Sequence, residues 1–286
     1  MESYNGQIKP GLMLAVFTLI GSGLFGGSVY AGDKDEQSRE VMVDCDKGQN
    51  LQDVLWQYLD DKKPLEIIVK GTCGEENEVI SIERDKVLLE GDEDVASRIN
   101  AHLLVERARN IEIGDNMELS SLFVNFGEVS IEAERSVTIH NDVFIIGQSS
   151  LTIDTDSDDD DGVITTGLVT INGAITIERH SLLSVHSNVF EGQAPAGQVY
   201  LNGMLFARLQ SSMDLSYATV NDIVLEFDSH ALLGRGLLSA EGITSVQCDQ
   251  QSRAWEEFPE DYPTGFNFEA VKDTRIGETC DSNIPD

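Results

Sequence analysis

A nearly constant spacing of short apolar segments constrains this chain more than any other feature. From Val129 to Phe227 a strand-like segment begins every 22 to 24 residues and ends in polar residues. Val79 and Leu103 extend the series towards the N-terminus, at intervals of 24 and 26 residues. A sustained period of this length is typical of a solenoid, in which each repeat is one supersecondary unit. The seven predicted repeats begin at Val79, Leu103, Val129, Leu151, Ile175, Val199 and Ile223.

Two further apolar series predict three short strands in each repeat. One begins at Val87, about eight residues after the first series, and the other includes Leu119 and Val143. Within such a strand apolar and polar residues alternate, so one face turns inward, and stacked repeats bury that face against each other. An antiparallel β-sandwich is the alternative, and Asn172-Gly173 and Asn202-Gly203 would suit its hairpins. The long period favours an all-β fold, a right-handed parallel β-helix of about seven turns over residues 79–240.

Caps are predicted at both ends, because a solenoid would otherwise expose its core there. Residues 41–78 form the predicted N-terminal cap, with a helix over 50–60. That helix has an apolar stripe at helical spacing, Asn50 as its N-cap, and Pro64 beyond its end. Residues 241–286 break the repeat and form an irregular C-terminal cap.

The first 40 residues have the pattern of an export signal. Lys9 supplies the positive charge, residues 11–25 are apolar, and Val29 and Ala31 are the small residues before a cleavage site. We predict a signal peptide over 1–31, a flexible leader over 32–40, and a periplasmic or extracellular location. A membrane anchor is the alternative; after signal cleavage we expect no stable membrane insertion.

All four cysteines follow the predicted signal peptide. An even number of cysteines in an exported chain indicates disulfides, and three pairings are possible. Proximity favours Cys45–Cys73 and Cys248–Cys280. A zinc site with four cysteine ligands is the alternative, but no Cys-x-x-Cys spacing supports it.

The net charge limits the possible partners. Acidic residues outnumber basic ones 51 to 19, so the surface repels nucleic acid and attracts divalent cations. An acidic loop over residues 154–162 places aspartates at alternate positions before a glycine, as a calcium loop requires. Its candidate ligands for Ca²⁺ are Asp154, Asp156, Asp158 and Asp160. A solvated acidic loop without metal is the alternative interpretation.

A Glu-Arg dipeptide recurs before several predicted strands. We expect these dipeptides to stack along one edge, either as a ladder of ion pairs or as a row of arginines for an acidic polysaccharide. If the protein is an enzyme, Arg179 or His180 is the candidate base, with Glu178 and His186 in the same repeat. The four dipeptides lie at 83–84, 106–107, 134–135 and 178–179.

Residues 41–91 resemble the capping helix and first coil of secreted bacterial β-helix proteins in the pectin-lyase-like superfamily. The resemblance implies a parallel β-helix and, often, polysaccharide binding or cleavage. The pectate-lyase and polygalacturonase signature motifs are absent from the sequence. We therefore expect a non-catalytic exported protein with a structural, adhesive or glycan-binding role; the alternative is a lyase or glycoside hydrolase acting on an acidic polysaccharide. The segments that carry the resemblance are Val43-Asp44-Cys45, 48–53, 68–73, 79–82 and 87–91.

Overall fold

The computed structural model describes most of the chain between residues 38 and 256. The described residues are 38–95, 97–155, 167–186, 198–215, 218–233, 245–248 and 252–256. The predicted signal peptide over 1–31 lies outside them, as does most of the predicted C-terminal cap.

The described residues form an all-β structure with a single α-helix. The N-terminal elements are β1 Arg39–Asp44, a 3₁₀-helix Cys45–Lys47, α1 Leu51–Gln57, β2 Leu65–Lys70, β3 Thr72–Cys73, β4 Val79–Ile82 and β5 Val87–Gly91. The central strands are β6 Ser97–Glu106, β7 Ile111–Ile113, β8 Met117–Asn125, β9 Glu128–Glu132, β10 Ser136–Ile139, β11 Val143–Ile146 and β12 Ser150–Asp154. The later strands are β13 Leu168–Ile171, β14 Ile175–Glu178, β15 Leu182–His186, β16 Gln198–Arg208, β17 Ser212–Leu215, β18 Ala218–Glu226, β19 His230–Leu233, β20 Ser245–Cys248 and β21 Arg253–Glu256.

Two long parallel sheets contain all of these strands. The first sheet has ten strands, paired in chain order as β1-β2-β5-β7-β9-β12-β15-β17-β19-β21. The second sheet has eleven strands. It consists of two strips of strands that lie side by side, and each long strand belongs to both strips. For example, β8 pairs in parallel with β10 through residues 117–119 and with β11 through residues 122–125. The chain thus alternates between the first sheet and the two strips of the second, which is consistent with a parallel β-helix.

One apolar core lies between the sheets, and inward side chains from both build it. Ile131 of β9 in the first sheet and Ile145 of β11 in the second are both 0% exposed. Buried and more exposed residues alternate along β9 and β11, as the sequence alternation predicts. Burying an isoleucine side chain stabilises the fold by about 1.5–3 kcal/mol, so the inward positions dominate the stability.

The predicted repeat series does not follow one stack of strands, so its phase is wrong. Val129 and Leu151 lie in the first sheet, whereas Val79, Ile175 and Ile223 lie in the second. Successive strands of the first sheet begin at irregular intervals, such as 17 residues from 111 to 128 and 32 from 150 to 182. Connections of different length cause this irregularity. Among the described residues within 79–240, the first sheet has seven strands, β5, β7, β9, β12, β15, β17 and β19.

The helix and a disulfide order the N-terminal region. Helix α1 covers seven residues rather than the predicted 50–60, and the described part of the chain therefore offers no helix that could cross a bilayer. The Asn50 side chain accepts a hydrogen bond from the Asp53 amide at 3.2 Å, as the predicted N-cap should. A Cys45–Cys73 disulfide joins the 3₁₀-helix to β3, which is the pairing that proximity favours. Cys280 lies outside the described residues.

A ladder of buried serines lines the turn that leads from the second sheet into the first. From the second serine onwards, each Oγ accepts a hydrogen bond from the backbone N–H of the preceding serine in the stack, at 3.2–3.4 Å. The first, Ser149, accepts from the Gly127 N–H at 3.1 Å. The Ser181 Oγ, for example, also donates to the Glu178 carbonyl at 2.7 Å. These bonds satisfy backbone groups that the turn buries, so they hold neighbouring strands in register. The ladder consists of Ser149, Ser181, Ser211, Ser229 and Ser252.

Candidate functional site

The outward side of the second sheet carries a column of phenylalanines, which we call the aromatic face. The parallel register places Phe123, Phe144, Thr176 and Phe206 at the same position on β8, β11, β14 and β16. The Phe123 and Phe144 rings stack, with centroids 4.8 Å apart and an interplanar angle of 13°. His102 packs its ring edge-on against Phe123 at 5.9 Å. All three phenylalanines are only half-buried, so their rings remain accessible to solvent.

Thr176 interrupts this aromatic column. It lies between Phe144 and Phe206 in the register, so the two rings are separated by two strand spacings, roughly 10 Å. Because threonine is shorter than phenylalanine, we expect a depression in the aromatic face at this position.

Polar and charged groups border the depression. Glu178 and Arg208 occupy the next outward position on β14 and β16, and the Arg208 guanidinium donates to the Glu178 carboxylate. Asn125 occupies the equivalent position on β8. On the other side of the column, Met204 is 39% exposed. The aromatic face therefore combines apolar rings with planar hydrogen-bonding groups.

The outward side of the first sheet differs sharply, because carboxylates cluster there. We call Glu66, Glu90, Glu112, Glu132 and Asp154 the acidic face; they lie on β2, β5, β7, β9 and β12. Glu112 lies opposite Leu88 of β5 and Ser130 of β9 in the parallel register, and Glu132 lies opposite Asp154. All five carboxylates are half-buried.

Burial and mutual repulsion raise the pKa values of these carboxyls. Burial is the main cause for Glu112, and repulsion by Glu132, Glu90 and Glu66 adds to it, raising its pKa to about 7. The pKa of Glu90 is also raised, by burial and then by the charges of Glu66 and Asp115. Burial and the Asp154 charge likewise raise the pKa of Glu132. Glu112 can therefore hold or release a proton near neutral pH, as a general acid requires.

The structure describes only one of the four candidate calcium ligands. Asp154 ends β12 on the acidic face, while Asp156, Asp158 and Asp160 lie outside the described residues. Among the residues that the structure describes, no group of three or more histidine, cysteine, aspartate or glutamate side chains is arranged to hold a metal ion. Calcium binding by the acidic loop stays a prediction.

The candidate catalytic residues do not come together. Glu178 pairs with Arg208 on the second sheet, and Arg179 and His180 form an exposed turn with positive φ angles of 60° and 63°. His186 lies at the end of β15 on the first sheet. There the His186 Nε2 lies 2.6 Å from the Ser184 Oγ.

The predicted Glu-Arg edge is divided between two turns. The dipeptides at 83–84, 106–107 and 178–179 follow strands of the second sheet, whereas 134–135 follows β9 of the first. Arg84 is 6% exposed and donates to the Tyr58 and Lys63 carbonyls beyond α1. The four dipeptides therefore do not form one row of arginines, and that expectation is wrong.

The sequence does contain a signal for the aromatic face. Phenylalanine lies between two apolar residues in three similar segments: residues 122–124, 143–145 and 205–207. Alternation along a strand turns the flanking residues inward and the phenylalanine outward. Which segments are neighbours depends on the parallel register, and the sequence period does not give that register.

Comparison with protein-family models, with curated proteins and with solved structures finds no match for this chain. The candidate function consequently rests on the geometry of the two outward faces.

Proposed function

We propose that the protein is an exported, non-catalytic parallel β-helix that binds a glycan through its aromatic face. The β-helix of this proposal is right-handed, α1 caps its N-terminal end, and it resembles the pectin-lyase-like superfamily. The parallel pairing of both sheets and the resemblance of residues 41–91 support this classification. The Cys45–Cys73 disulfide suits an oxidising compartment outside the cytoplasm.

One observation carries the binding proposal: the Phe123 and Phe144 rings stack, and the shorter Thr176 takes the next position in the column. Sugar rings present flat faces of C–H groups, which are attracted to the negative face of an aromatic ring. Their hydroxyls bind planar polar side chains, and the Glu178–Arg208 pair provides both acceptors and donors at the rim. Binding sites for small molecules typically combine apolar surface with a few polar groups in this way.

The charge of the molecule favours a neutral glycan over an acidic one. The net charge is −32, and the outward position beside the column also carries Glu106 and Glu226. A uronate would be repelled by this field, and Arg208 is already paired with Glu178. The proposed ligand is therefore a neutral polysaccharide or cell-surface glycan.

Titration calorimetry on ligands found by a glycan array tests this proposal. Phe144→Ala and Phe206→Ala should each weaken binding about tenfold, because each removes one wall of the depression. Phe126→Ala is the matched control, since Phe126 is 51% exposed but lies in a turn outside the column. Equal affinity of all three variants and the parent would contradict the proposal, and so would exclusive binding of acidic glycans.

Polysaccharide cleavage is the second candidate, and the raised pKa of Glu112, about 7, is the observation that favours it. Glu112, with Glu132 on the neighbouring strand, would supply the general acid and the second carboxylate of a glycoside hydrolase. Depolymerisation assays should then show activity that Glu112→Gln abolishes and Glu128→Gln, an exposed control on β9, preserves. No activity on any polysaccharide that binds would remove this candidate.

Calcium is a further proposed ligand, at the acidic loop that begins at Asp154. Added Ca²⁺ should raise the thermal midpoint, and replacing Asp154, Asp156 and Asp158 by Asn should remove the shift. An unchanged midpoint in the parent protein would exclude the site.

A further inference from the structure

Strand β15 presents a serine and a histidine on the same outward side of the first sheet. Ser184 and His186 are two residues apart, so alternation along the strand points both side chains outward. Their Oγ and Nε2 atoms lie 2.6 Å apart, which is hydrogen-bond distance for a nucleophile and its base. Ser184 is 8% exposed, whereas His186 is exposed and faces solvent.

Two carboxylates flank this pair on the neighbouring strands. The parallel register places Asp154 of β12 opposite His186, and Asp214 of β17 opposite Ser184. A negative charge beside an imidazole stabilises the imidazolium that forms when the histidine takes a proton. Asp154 is thus the carboxylate that the register places beside the imidazole of this pair.

We propose that Ser184 is an activated nucleophile, with His186 as its general base, for small ester substrates. The Ser184 Oγ attacks the electrophilic carbon or phosphorus of the ester while its proton passes to the His186 Nε2. The bond to the leaving group breaks, and the leaving group takes that proton. With a carboxylic ester, water then adds to the acyl-serine, which releases the acid and restores the hydroxyl. This site is on the opposite sheet from the aromatic face. The non-catalytic role proposed above concerns glycan binding at the aromatic face, and the ester reaction at Ser184 is independent of it.

Other serines of the molecule provide internal comparisons. Ser130 lies in the same outward column two strands earlier, but its side chain bonds the Glu132 carboxylate rather than an imidazole. Ser121 also lies 2.6 Å from a histidine, but it contacts Nδ1 of His102, whose ring packs against Phe123. Ser121 is 2% exposed. Neither serine has the combination of an imidazole Nε2 and flanking carboxylates that Ser184 has.

A fluorophosphonate probe tests the proposal on the full chain, because its phosphonyl group stays attached after fluoride leaves. Peptide mass spectrometry should find the label on Ser184, and not on Ser121 or Ser130. Ser184→Ala should abolish labelling, His186→Gln should slow it at least tenfold, and Ser130→Ala should leave its rate unchanged.

Absence of label on Ser184, or an unchanged rate in His186→Gln, would overturn the proposal. Thermal melting of each variant checks that it is folded. If Ser184→Ala does not fold, the position of the label in the parent and the rate in His186→Gln decide the question.

Discussion

The aromatic face and the acidic face lie on the two different sheets of the same molecule, and their outward chemistry is opposite. Both enclose one core, and the inward residues Ile131 and Ile145 are equally buried. Outward, β8 and β11 carry stacked phenylalanines, while β7 and β9 carry the mutually repelling Glu112 and Glu132. The inward alternation therefore determines the fold, and each outward surface is free to acquire its own function.

The largest expected effect is a loss of stability on substitution in the core, which tests whether the two sheets contribute equally to that core. Ile131→Ala and Ile145→Ala should each lower the free energy of unfolding by about 3 kcal/mol, because both side chains are fully buried. Denaturant unfolding, followed by circular dichroism, measures this. A much smaller loss for one variant would show that its sheet is not packed on the shared core.

The next largest loss of stability is expected in the turn that leads from the second sheet into the first, where the serine ladder lies. Ser181→Ala should cost about 2 kcal/mol, because the Ser149 amide and the Glu178 carbonyl would each lose a buried partner. Ser150→Ala is the control, since Ser150 is half-buried on the outward side of β12. Equal stability of the two variants would show that the serine ladder does not hold the register.

The acidic face should make stability depend on pH. The folded-state pKa of Glu112, about 7, exceeds its ordinary value of 4.5, so its protonated form stabilises the fold. This contribution is full below pH 4.5 and is lost as the pH rises through 7. Glu112→Gln should stabilise the protein by about 1–2 kcal/mol at pH 8, allowing for solvent screening, and by much less at pH 5.

Unfolding curves at both pH values check this prediction. The lowered pKa values of Asp44 and Asp61 act below 3.8, outside this window, so they do not obscure it. A Glu112→Gln effect of equal size at pH 5 and pH 8 would contradict the raised pKa of Glu112. The aromatic column contains no carboxyl group, so Phe144→Ala should have the same effect at both pH values.

The sequence predicts the fold class well because it depends on local alternation. The inward residues, the helix near Asn50 and the Cys45–Cys73 pairing can all be read from residue spacing. The sequence predicts the stacking order poorly, because connections of unequal length change the phase of the repeat. Val129 and Ile175 belong to different sheets although they fit one period. Both faces depend on that order, so neither could be located before the register was known.

The smallest expected effect is the coupling free energy between two rings of the aromatic face, which shows whether these rings stack before a ligand binds. A double-mutant cycle of Phe123→Ala and Phe144→Ala should give a coupling free energy of about 1 kcal/mol, because the rings stack at 4.8 Å. The pair Phe123→Ala and Phe206→Ala is the control; Phe144 and Thr176 lie between these rings in the register, so their coupling should be near zero. A near-zero value for the first cycle as well would mean that the rings are not stacked in solution. The glycan would then have to order the Phe123 and Phe144 rings when it binds. Removing either ring should in that case lower the affinity for the glycan by less than tenfold.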